Sequence, residues 1–142
     1  MLVSELMNKN VVSITQDEPV SLAARLLYRS NIGSVPVCAA DGRLRGIVTD
    51  RDITLRCVAA ENDPDTTPVR EIRSRCVITA SPDDDVRDAA AKMSSGLVRR
   101  LPVVRDGRLV GVLSLGDLAR SRSCDAEAGR ALSDISSNVR RT

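Results

Sequence analysis

Two short segments of the chain combine a hydroxyl side chain with a carboxylate at the same spacing. Thr49 precedes Asp52 by three residues, and Ser114 precedes Asp117 by three residues. In both segments a glycine opens a short apolar run typical of a buried strand, and the aspartate falls where a helical pattern starts. A carboxylate in that position can accept hydrogen bonds from both hydroxyls of a ribose. The Thr or Ser hydroxyl and the free N–H groups of the first helical turn suit a phosphate or sugar oxygen. The pattern therefore indicates the ribose end of a nucleotide site.

The same spacing is also typical of a helix N-cap followed by an acidic residue at the third helical position, and caps are commoner than ligand sites. Two observations favour a ligand. The acidic residue is aspartate in both segments, although the longer glutamate reaches back to a cap more readily, and both segments occupy the same place in a larger repeat. The two roles are compatible, so both stay open.

An internal duplication organises most of the chain. Residues of the first half recur 66 positions later up to the central turn, and 65 positions later after it, because one residue is lost in the turn. Matching positions include Val3 and Val69, Val20 and Val86, Pro36 and Pro102, Gly46 and Gly111, and Asp52 and Asp117. We interpret residues 1–60 as the first repeat, 61–68 as a linker, 69–122 as the second repeat and 123–142 as a tail.

Each repeat is predicted to contain a strand, a helix, two strands and a second helix. In the first repeat the strands are expected at 11–14, 35–38 and 44–48, and the helices start near 17–19 and at 50, the second running toward residue 60. In the second repeat the strands are expected at 77–79, 101–104 and 109–113, with helices starting near 81–83 and spanning 115–122. The apolar stripes of the first helices are Val20, Ala23, Ala24 and Leu27, and Val86, Ala89, Ala90 and Met93.

Hairpin turns are expected at Asp41-Gly42 and Asp106-Gly107. A half of this size has a sheet face that needs cover, and its twin is the natural cover. We therefore predict an α+β fold in which the halves pack sheet to sheet about a pseudo-twofold axis.

The tail outside the repeat shows a weak helical pattern. Asp125 is a candidate cap, and Ala128, Leu132, Ile135 and Val139 share one helical face. We expect a marginal helix that is either frayed or docked on a partner subunit.

The composition argues against several classes of function. Hydrophobic residues make up 42% of the 142 residues, enough for one ordinary domain or two very small ones sharing a core. Tyr28 is the only aromatic residue, so there are no stacking platforms for single-stranded nucleic acid, and a net charge of +2 gives no reason to expect a polyanionic partner. No apolar run is long enough for a bilayer, and the first ten residues do not resemble a targeting signal. We expect a cytoplasmic protein that binds neither nucleic acid nor membrane.

The sequence has no histidine, which removes the commonest general acid and base and the usual zinc frameworks. Its four cysteines are widely separated and form no C-x-x-C motif; they are Cys38, Cys57, Cys76 and Cys124. We interpret them as buried small residues or free thiols, with a redox role for an exposed one left open. Hydrolase, P-loop and dinucleotide motifs are also missing from the sequence. We expect a protein that is not an enzyme and has no metal or resident cofactor.

The chain resembles a tandem pair of CBS domains, the unit called a Bateman module. The resemblance covers about residues 1–122. It rests on residues 3–7, on residues 32–37 and 98–103 around the central strand of each repeat, and on residues 46–53 and 111–118. Among such proteins the chain is most similar to short stand-alone CBS pairs of the hypoxic response protein type. The resemblance implies a homodimeric sensor that binds AMP, ADP, ATP or S-adenosylmethionine in clefts between the repeats.

Carried over by motif, the resemblance assigns the ribose hydroxyls to Asp52 and Asp117. It implies contacts of Thr49 and Ser114 with ribose or phosphate. It also implies an adenine slot lined by backbone and aliphatic surface, with Ser13, Ile14, Val35, Pro36, Thr79, Leu101 and Pro102 around it. Such a slot needs no aromatic residue, which agrees with the composition.

The repeats differ in charge next to the central strand. Arg99 and Arg100 of the second repeat stand where the first has Gly33 and Ser34, so one edge carries two guanidinium groups suited to phosphates. Arg51, which stands where the second repeat has Gly116, is a weaker candidate for the same contact. For all three arginines the alternative is a solvated surface side chain. We therefore expect two unequal clefts. A CBS pair with empty clefts that acts only as an interaction scaffold remains the alternative function.

Overall fold

The computed structural model of the protein describes residues 1–121 and 125–141. In chain order the elements are α1 (Val3–Leu6), β1 (Ile14–Thr15), α2 (Val20–Ser30), β2 (Ser34–Cys38), β3 (Leu44–Thr49), α3 (Asp50–Asp52) with a π-helical continuation (Ile53–Val58), a 3₁₀ turn (Val69–Glu71), α4 (Val86–Gly96), β4 (Arg100–Arg105), β5 (Arg108–Ser114), α5 (Leu115–Ala119) and α6 (Asp125–Arg141). The chain forms two compact units. One is Val12–Val77, and the other combines Met1–Val11 with Ile78–Thr142.

The unit Val12–Val77 is built on a three-stranded sheet with the order β1-β2-β3. β1 runs parallel to β2, with Ile14 opposite Val37, and β2 runs antiparallel to β3, with Val35 opposite Val48. The predicted hairpin is confirmed, and Gly42 in its turn has a φ of 88°, which a glycine adopts without strain. The first strand was predicted at 11–14 but is only two residues long, Ile14–Thr15, and overlaps the prediction only at Ile14.

Helix α2 covers this sheet with the predicted apolar stripe. Val20, Ala23 and Leu27 are buried in the core of the unit, as spacings of three and four residues require. Ala24, which we expected in the same stripe, is exposed. Its equivalent in the second repeat, Ala90 of α4, is buried in a cluster that includes Ala128 and Ala131 of α6, so burial at this position depends on the contact with α6.

The unit that includes Ile78–Thr142 is built on the hairpin of β4 and β5, with Leu101 opposite Leu113. The predicted strand at 77–79 is wrong, because the only pairing there is a single parallel bridge from Ala80 to Val103. Helix α4 begins at Val86, later than predicted, and all four residues of its stripe are buried.

The tail forms helix α6, which packs against α4 and α5 of the same unit. Ala128, Ala131 and Ile135 are buried, while Leu132 is 46% exposed. This differs from the expected frayed helix or helix docked on another subunit, because small side chains let α6 approach its neighbours within the unit. Cys124 and the side chains of Asp125 and Val139 lie outside the described residues.

The start of each repeat packs in the unit of the other repeat. Ser74 and Ile47 exchange backbone hydrogen bonds of 2.8 and 3.0 Å, and Asn8 and Val112 exchange bonds of 2.9 and 3.0 Å. These pairs are equivalent in the duplication. The spatial units are therefore cut near residues 11 and 77, whereas the repeat that we recognised by sequence is divided at the 61–68 linker.

Helix α3 continues to Val58 as a π-helix, close to the predicted end near residue 60. Its wider turn is visible in the hydrogen bond from the Ala59 N–H to the Thr54 carbonyl, at 2.8 Å. The Thr54 hydroxyl donates to the Asp50 carbonyl at 3.0 Å, the kind of side-chain bond that competes with a regular helix.

The cysteine thiols differ in access. Cys38 and Cys57 are buried and Cys76 is exposed, and all three are free. Burial raises the pKa of the Cys38 thiol, and burial together with the charge of Asp63 raises the pKa of the Cys57 thiol. Neither buried thiol is therefore activated as a nucleophile. In the part of the chain that the structure describes, no helix combines the length and apolar character needed to cross a membrane.

Asp85 gives the fold a pH dependence that can be tested. Its carboxylate caps α4 by accepting a 2.8 Å hydrogen bond from the Arg87 N–H, and this bond holds the pKa of Asp85 below its ordinary value, helped by the charges of the N-terminus and Arg87. A lowered folded-state pKa stabilises the protein above the ordinary value of about 3.9, and this stability is lost as pH falls through the folded value. Thermal unfolding of wild type and Asp85→Asn should show wild type more stable at pH 7, with the difference shrinking below about pH 4. An equal difference at pH 7 and pH 3 would contradict this assignment.

Candidate functional site

Asp52 lies in a complete capping box at the junction of β3 and α3. The Asp52 N–H donates to the Thr49 hydroxyl at 3.0 Å, and the Thr49 N–H donates to Asp52 Oδ2 at 3.0 Å. The strand ends and the helix starts here because the two side chains satisfy backbone N–H groups that have no helical partner. The N-cap that the Thr49 and Asp52 spacing also predicted is therefore present in the structure.

Asp117 repeats the arrangement at the junction of β5 and α5. Its N–H donates to the Ser114 hydroxyl at 3.1 Å, and the Ser114 N–H donates to Asp117 Oδ2 at 2.8 Å. Asp52 and Asp117 are only 8% and 9% exposed. Both carboxylates are thus held at a fixed place with one oxygen used by the cap.

The second oxygen of each aspartate meets different groups. Asp52 Oδ1 accepts a 3.3 Å hydrogen bond from the Ser74 hydroxyl, which also reaches Oδ2 at 3.3 Å, and it lies 4.0 Å from Arg56 Nη1. Asp117 Oδ1 forms an ion pair with Arg120, one helical turn further on. The two repeats therefore place their aspartates alike but surround them with different donors.

Three of these neighbours were not identified in the sequence. Arg56 and Arg120 follow their aspartates by four and three residues, so helical spacing was a signal that could have found them. Ser74 is 22 residues from Asp52 and reaches it through the pairing of Ser74 with Ile47. No local pattern points to that contact.

Sheet register brings other predicted residues to the same end of each hairpin. Thr49 lies opposite Ser34, next to Val35 and Pro36, and Ser114 lies opposite Arg100, next to Leu101 and Pro102. The predicted residues of the first repeat lie in the unit Val12–Val77, and those of the second lie in the other unit.

Burial separates the predicted adenine-slot residues into two classes. Val35 and Leu101 are fully buried, Ile14 is 4% exposed, and all three belong to the hydrophobic cores, so their side chains already have core partners. Pro36 and Pro102 are also buried, whereas Ser13 is exposed and Thr79 half-buried. The expected aliphatic lining is therefore mostly core, and what these strands offer a ligand is chiefly backbone.

The predicted phosphate contacts Arg51, Arg99 and Arg100 are all exposed. Among the side chains that the structure describes, none forms a hydrogen bond or an ion pair with these three guanidinium groups. Arg100 lies directly across the hairpin from Ser114, as the predicted asymmetry requires of the second repeat. Arg51 is on the first turn of α3, with Thr49 two residues before it.

The sequence matches the CBS domain family over residues 3–58 and again over residues 69–123. The chain belongs to this family. The expectation of two CBS repeats in an α+β fold is thereby confirmed. The CBS domain-containing protein YhcV of Bacillus subtilis is 37% identical over 134 residues, which is 94% of each chain. Hypoxic response protein 1 of Mycobacterium tuberculosis is 33% identical over 116 residues, covering 82% of this chain and 81% of that protein.

Solved CBS structures are similar to this chain over most of its length. The crystal structure of Hypoxic Response Protein I with two coordinated zinc ions has a TM-score of 0.78 at 32% identity, covering 84% of this chain and 98% of that one. The CBS domain protein PAE2072 of Pyrobaculum aerophilum complexed with AMP has a TM-score of 0.76 at 34% identity, covering 91% and 98%. The CBS domain pair of protein MJ0100 in complex with 5′-methylthioadenosine and S-adenosyl-L-methionine has a TM-score of 0.72 at 32% identity, covering 84% and 94%.

The zinc-bearing relative raises the question of a metal site in this CBS pair. Among the residues that the structure describes, no group of three or more Cys, Asp or Glu side chains could hold a metal ion, and the sequence has no histidine. The two aspartates are bound instead to backbone N–H, hydroxyl and guanidinium donors. A ligand hydroxyl group can replace one of these donors and keep the carboxylate hydrogen-bonded, whereas a cation would need several carboxylate oxygens that the donors already occupy.

Proposed function

We propose that this CBS pair is a non-catalytic sensor that binds an adenosine-containing ligand, AMP, ADP, ATP or S-adenosylmethionine, through Asp52 and Asp117. The observation that carries the proposal is the AMP complex of PAE2072, which is 34% identical over 91% of this chain. The complex of MJ0100 with two other adenosine compounds extends the ligand class. The ligands of both relatives contain an adenosine group, so we assign adenosine recognition to this chain. We expect the surrounding charges to decide which group is attached to that adenosine.

The chemistry of the two capping boxes supports this assignment. Each carboxylate is buried and held in place by its cap, so little side-chain entropy remains to be lost when a ribose binds. A ribose hydroxyl that replaces the Ser74 or Arg120 donor at the second oxygen keeps the carboxylate fully hydrogen-bonded. Thr49 and Ser114 already receive one N–H and can donate their own hydroxyl proton to a sugar or phosphate oxygen.

The attached phosphates are assigned unequally. Arg99 and Arg100 give the second repeat two exposed guanidinium groups where the first has Gly33 and Ser34. Guanidinium groups bind phosphate oxygens in pairs of parallel hydrogen bonds. We therefore propose that Arg99 and Arg100 favour a phosphorylated ligand at the second repeat, and that Arg51 makes at most a peripheral contact at the first.

The proposed output is a change of shape or association in a cytoplasmic homodimer. A ligand shifts such an equilibrium only by binding one arrangement more tightly than another. Exposed apolar side chains support contact with a second copy, because Leu55 and Val58 lie three residues apart on the π-helical segment and are 49% and 64% exposed. Tyr28 on α2 is 86% exposed.

Val58→Asp should raise the dimer dissociation constant by about tenfold or more, because it places a charge in an apolar contact. Sedimentation equilibrium measures this. Leu132→Asp is the matched control, since Leu132 is an exposed leucine of α6 at 46%. Equal dissociation constants for both variants would remove the π-helical segment from the interface.

The experiment that tests the function is a thermal-unfolding panel with AMP, ADP, ATP, S-adenosylmethionine and GMP. A ligand at 100 times its dissociation constant adds about 2.7 kcal/mol to stability, a shift of several degrees in midpoint. We expect at least one adenosine compound to stabilise the protein and GMP to do so less. Unchanged nucleotide after long incubation with the protein is expected for a sensor that is not an enzyme.

A scaffold without a ligand is the second candidate function. It is favoured by the completeness of both capping boxes, which gives Asp52 and Asp117 a structural role without any ligand. No stabilisation by any adenosine compound at millimolar concentration, with an intact homodimer, would support the scaffold and reject the sensor.

A further inference from the structure

A basic groove lies beside Asp52 in the unit Val12–Val77. It has a volume of about 540 Å³ and is open to solvent, and four arginines and one glutamate line most of it: Arg56, Arg70, Arg73, Arg75 and Glu71. Its remaining lining residues are Ser74 and Cys76. All of these residues except Arg56 lie at the start of the second repeat, and none of them was identified in the sequence as a ligand-binding residue.

Two of the four arginines already have partners. Arg70 Nη1 forms a 2.6 Å ion pair with Asp17 Oδ1. Arg56 Nη1 donates to the carbonyl oxygens of Ile72 and Arg73 at 3.2 and 3.3 Å. Their positive charges are thus partly balanced or fixed by the fold.

Arg73 is different, because Nε and Nη1 of its guanidinium are buried without a hydrogen-bond partner in the described part of the chain. Burial lowers the pKa of Arg73, and the nearby charges of Arg75 and Arg45 lower it further. A buried charged donor without an acceptor is costly, so a group that supplies acceptors here gains more than it would at the surface. Arg75 is exposed, and its guanidinium has no hydrogen-bond or ion-pair partner within residues 1–121 and 127–137.

We infer that this groove is a phosphate-binding site that takes a di- or triphosphate group. Guanidinium groups bind phosphate oxygens through two parallel hydrogen bonds, and Arg73 and Arg75 offer two such groups from alternate residues. The volume is larger than one phosphate needs, and Glu71 is the only acidic lining residue.

The groove is connected to the candidate ribose site through Ser74. The Ser74 hydroxyl lines the groove and lies 3.3 Å from both carboxylate oxygens of Asp52. The phosphate therefore comes either from the tail of a nucleotide whose ribose is at Asp52 or from a free polyphosphate. Only the first source depends on the proposed function.

The test is isothermal titration of AMP, ATP and tripolyphosphate at low salt against wild type, Arg73→Gln, Arg75→Gln and the control Arg29→Gln. Arg29 is an exposed arginine in the last turn of α2, so it matches the charge change away from the groove. We expect tripolyphosphate, ATP or both to bind wild type. We also expect each groove variant to weaken that binding by about tenfold or more, because a charge-assisted bond is lost, while Arg29→Gln is unaffected. Arg75→Gln keeps the test valid if Arg73→Gln unfolds, since Arg75 is exposed.

The source of the phosphate follows from the pattern of losses. A nucleotide tail predicts that Arg75→Gln weakens ATP more than AMP and that Asp52→Ala weakens ATP but not tripolyphosphate. A free polyphosphate predicts loss of tripolyphosphate binding alone, and this result leaves the groove standing even if no adenosine compound binds. The inference is overturned if wild type binds neither ATP nor tripolyphosphate, or if the groove variants bind both as Arg29→Gln does.

Discussion

Asp52→Ala is expected to weaken binding of the adenosine ligand at the first repeat by about 100-fold or more, because a carboxylate that accepts two ribose hydroxyls contributes roughly 1.5–3 kcal/mol per bond. The same change removes the bond to the Thr49 N–H and leaves the Ser74 hydroxyl without its acceptor. Stability should therefore fall as well, by about 1–2 kcal/mol for the lost cap. Titration calorimetry and urea unfolding of one preparation measure both effects.

Asp52→Asn separates the ligand role from the cap. The amide oxygen can still accept from the Thr49 N–H, so unfolding should change little, while the loss of charge and of one acceptor should weaken the ligand by about tenfold. Asp85→Ala removes the carboxylate that caps α4 and has no assigned ligand contact, so it should lower stability and leave affinity unchanged. If Asp52→Asn binds as wild type does while Asp52→Ala is merely less stable, the aspartate is only a cap.

Gly46→Ala is expected to destabilise the protein by about 3 kcal/mol, whereas the equivalent Gly111→Ala should cost about 1 kcal/mol or less. A Cβ at Gly46 would collide with the backbone carbonyl oxygen of Ser74 and lie 2.9 Å from Cδ of Arg73. That carbonyl is fixed, because it accepts a 3.0 Å bond from the Ile47 N–H. A Cβ at Gly111 would lie 2.6 Å from Met7 Sδ, the far part of a flexible side chain that can move aside.

The two glycines are a matched pair, since they occupy the same position of the duplication. Urea unfolding of the two alanine variants gives the comparison directly. Equal and small losses would mean that the segment around Ser74 can move away from β3. Since Ser74 contacts Asp52 and lines the groove, the same movement would also displace a residue of the groove.

In this CBS pair each aspartate can cap its helix and also take part in the proposed ligand site, because the two roles use different oxygens of the carboxylate. A cap uses the oxygen that faces the helix N-terminus, and each aspartate has a second oxygen directed to a side-chain donor. A ligand bound as we propose would exchange one donor for another at that oxygen, which would change the contacts of Ser74 in one unit and Arg120 in the other. Such an exchange is one way in which a bound ligand favours a different arrangement.

The features that the sequence alone determined are local or repeated. The hairpins at Asp41-Gly42 and Asp106-Gly107, the start of α2 one residue after the predicted 17–19, and the two capping boxes all depend on residues within a few positions of one another. Their turn chemistry, apolar spacing and cap residues were therefore readable, and the duplication allowed each motif to be checked against its copy. The errors were also local. A strand was predicted at 77–79 from β-branched residues, but only Ala80 pairs with β4.

Tertiary structure decided which distant segments meet. The start of each repeat pairs with a strand of the other repeat, Ser74 with Ile47 and Asn8 with Val112, and no pattern within either segment specifies that partner. This pairing brings Ser74 to Asp52 and assembles Arg56, Arg70, Arg73 and Arg75 around one groove. It also leaves Nε and Nη1 of Arg73 buried without an acceptor among the side chains that the structure describes. Burial and long-range pairing depend on the packing of whole elements. The groove therefore forms only in the folded protein, and the sequence alone did not predict it.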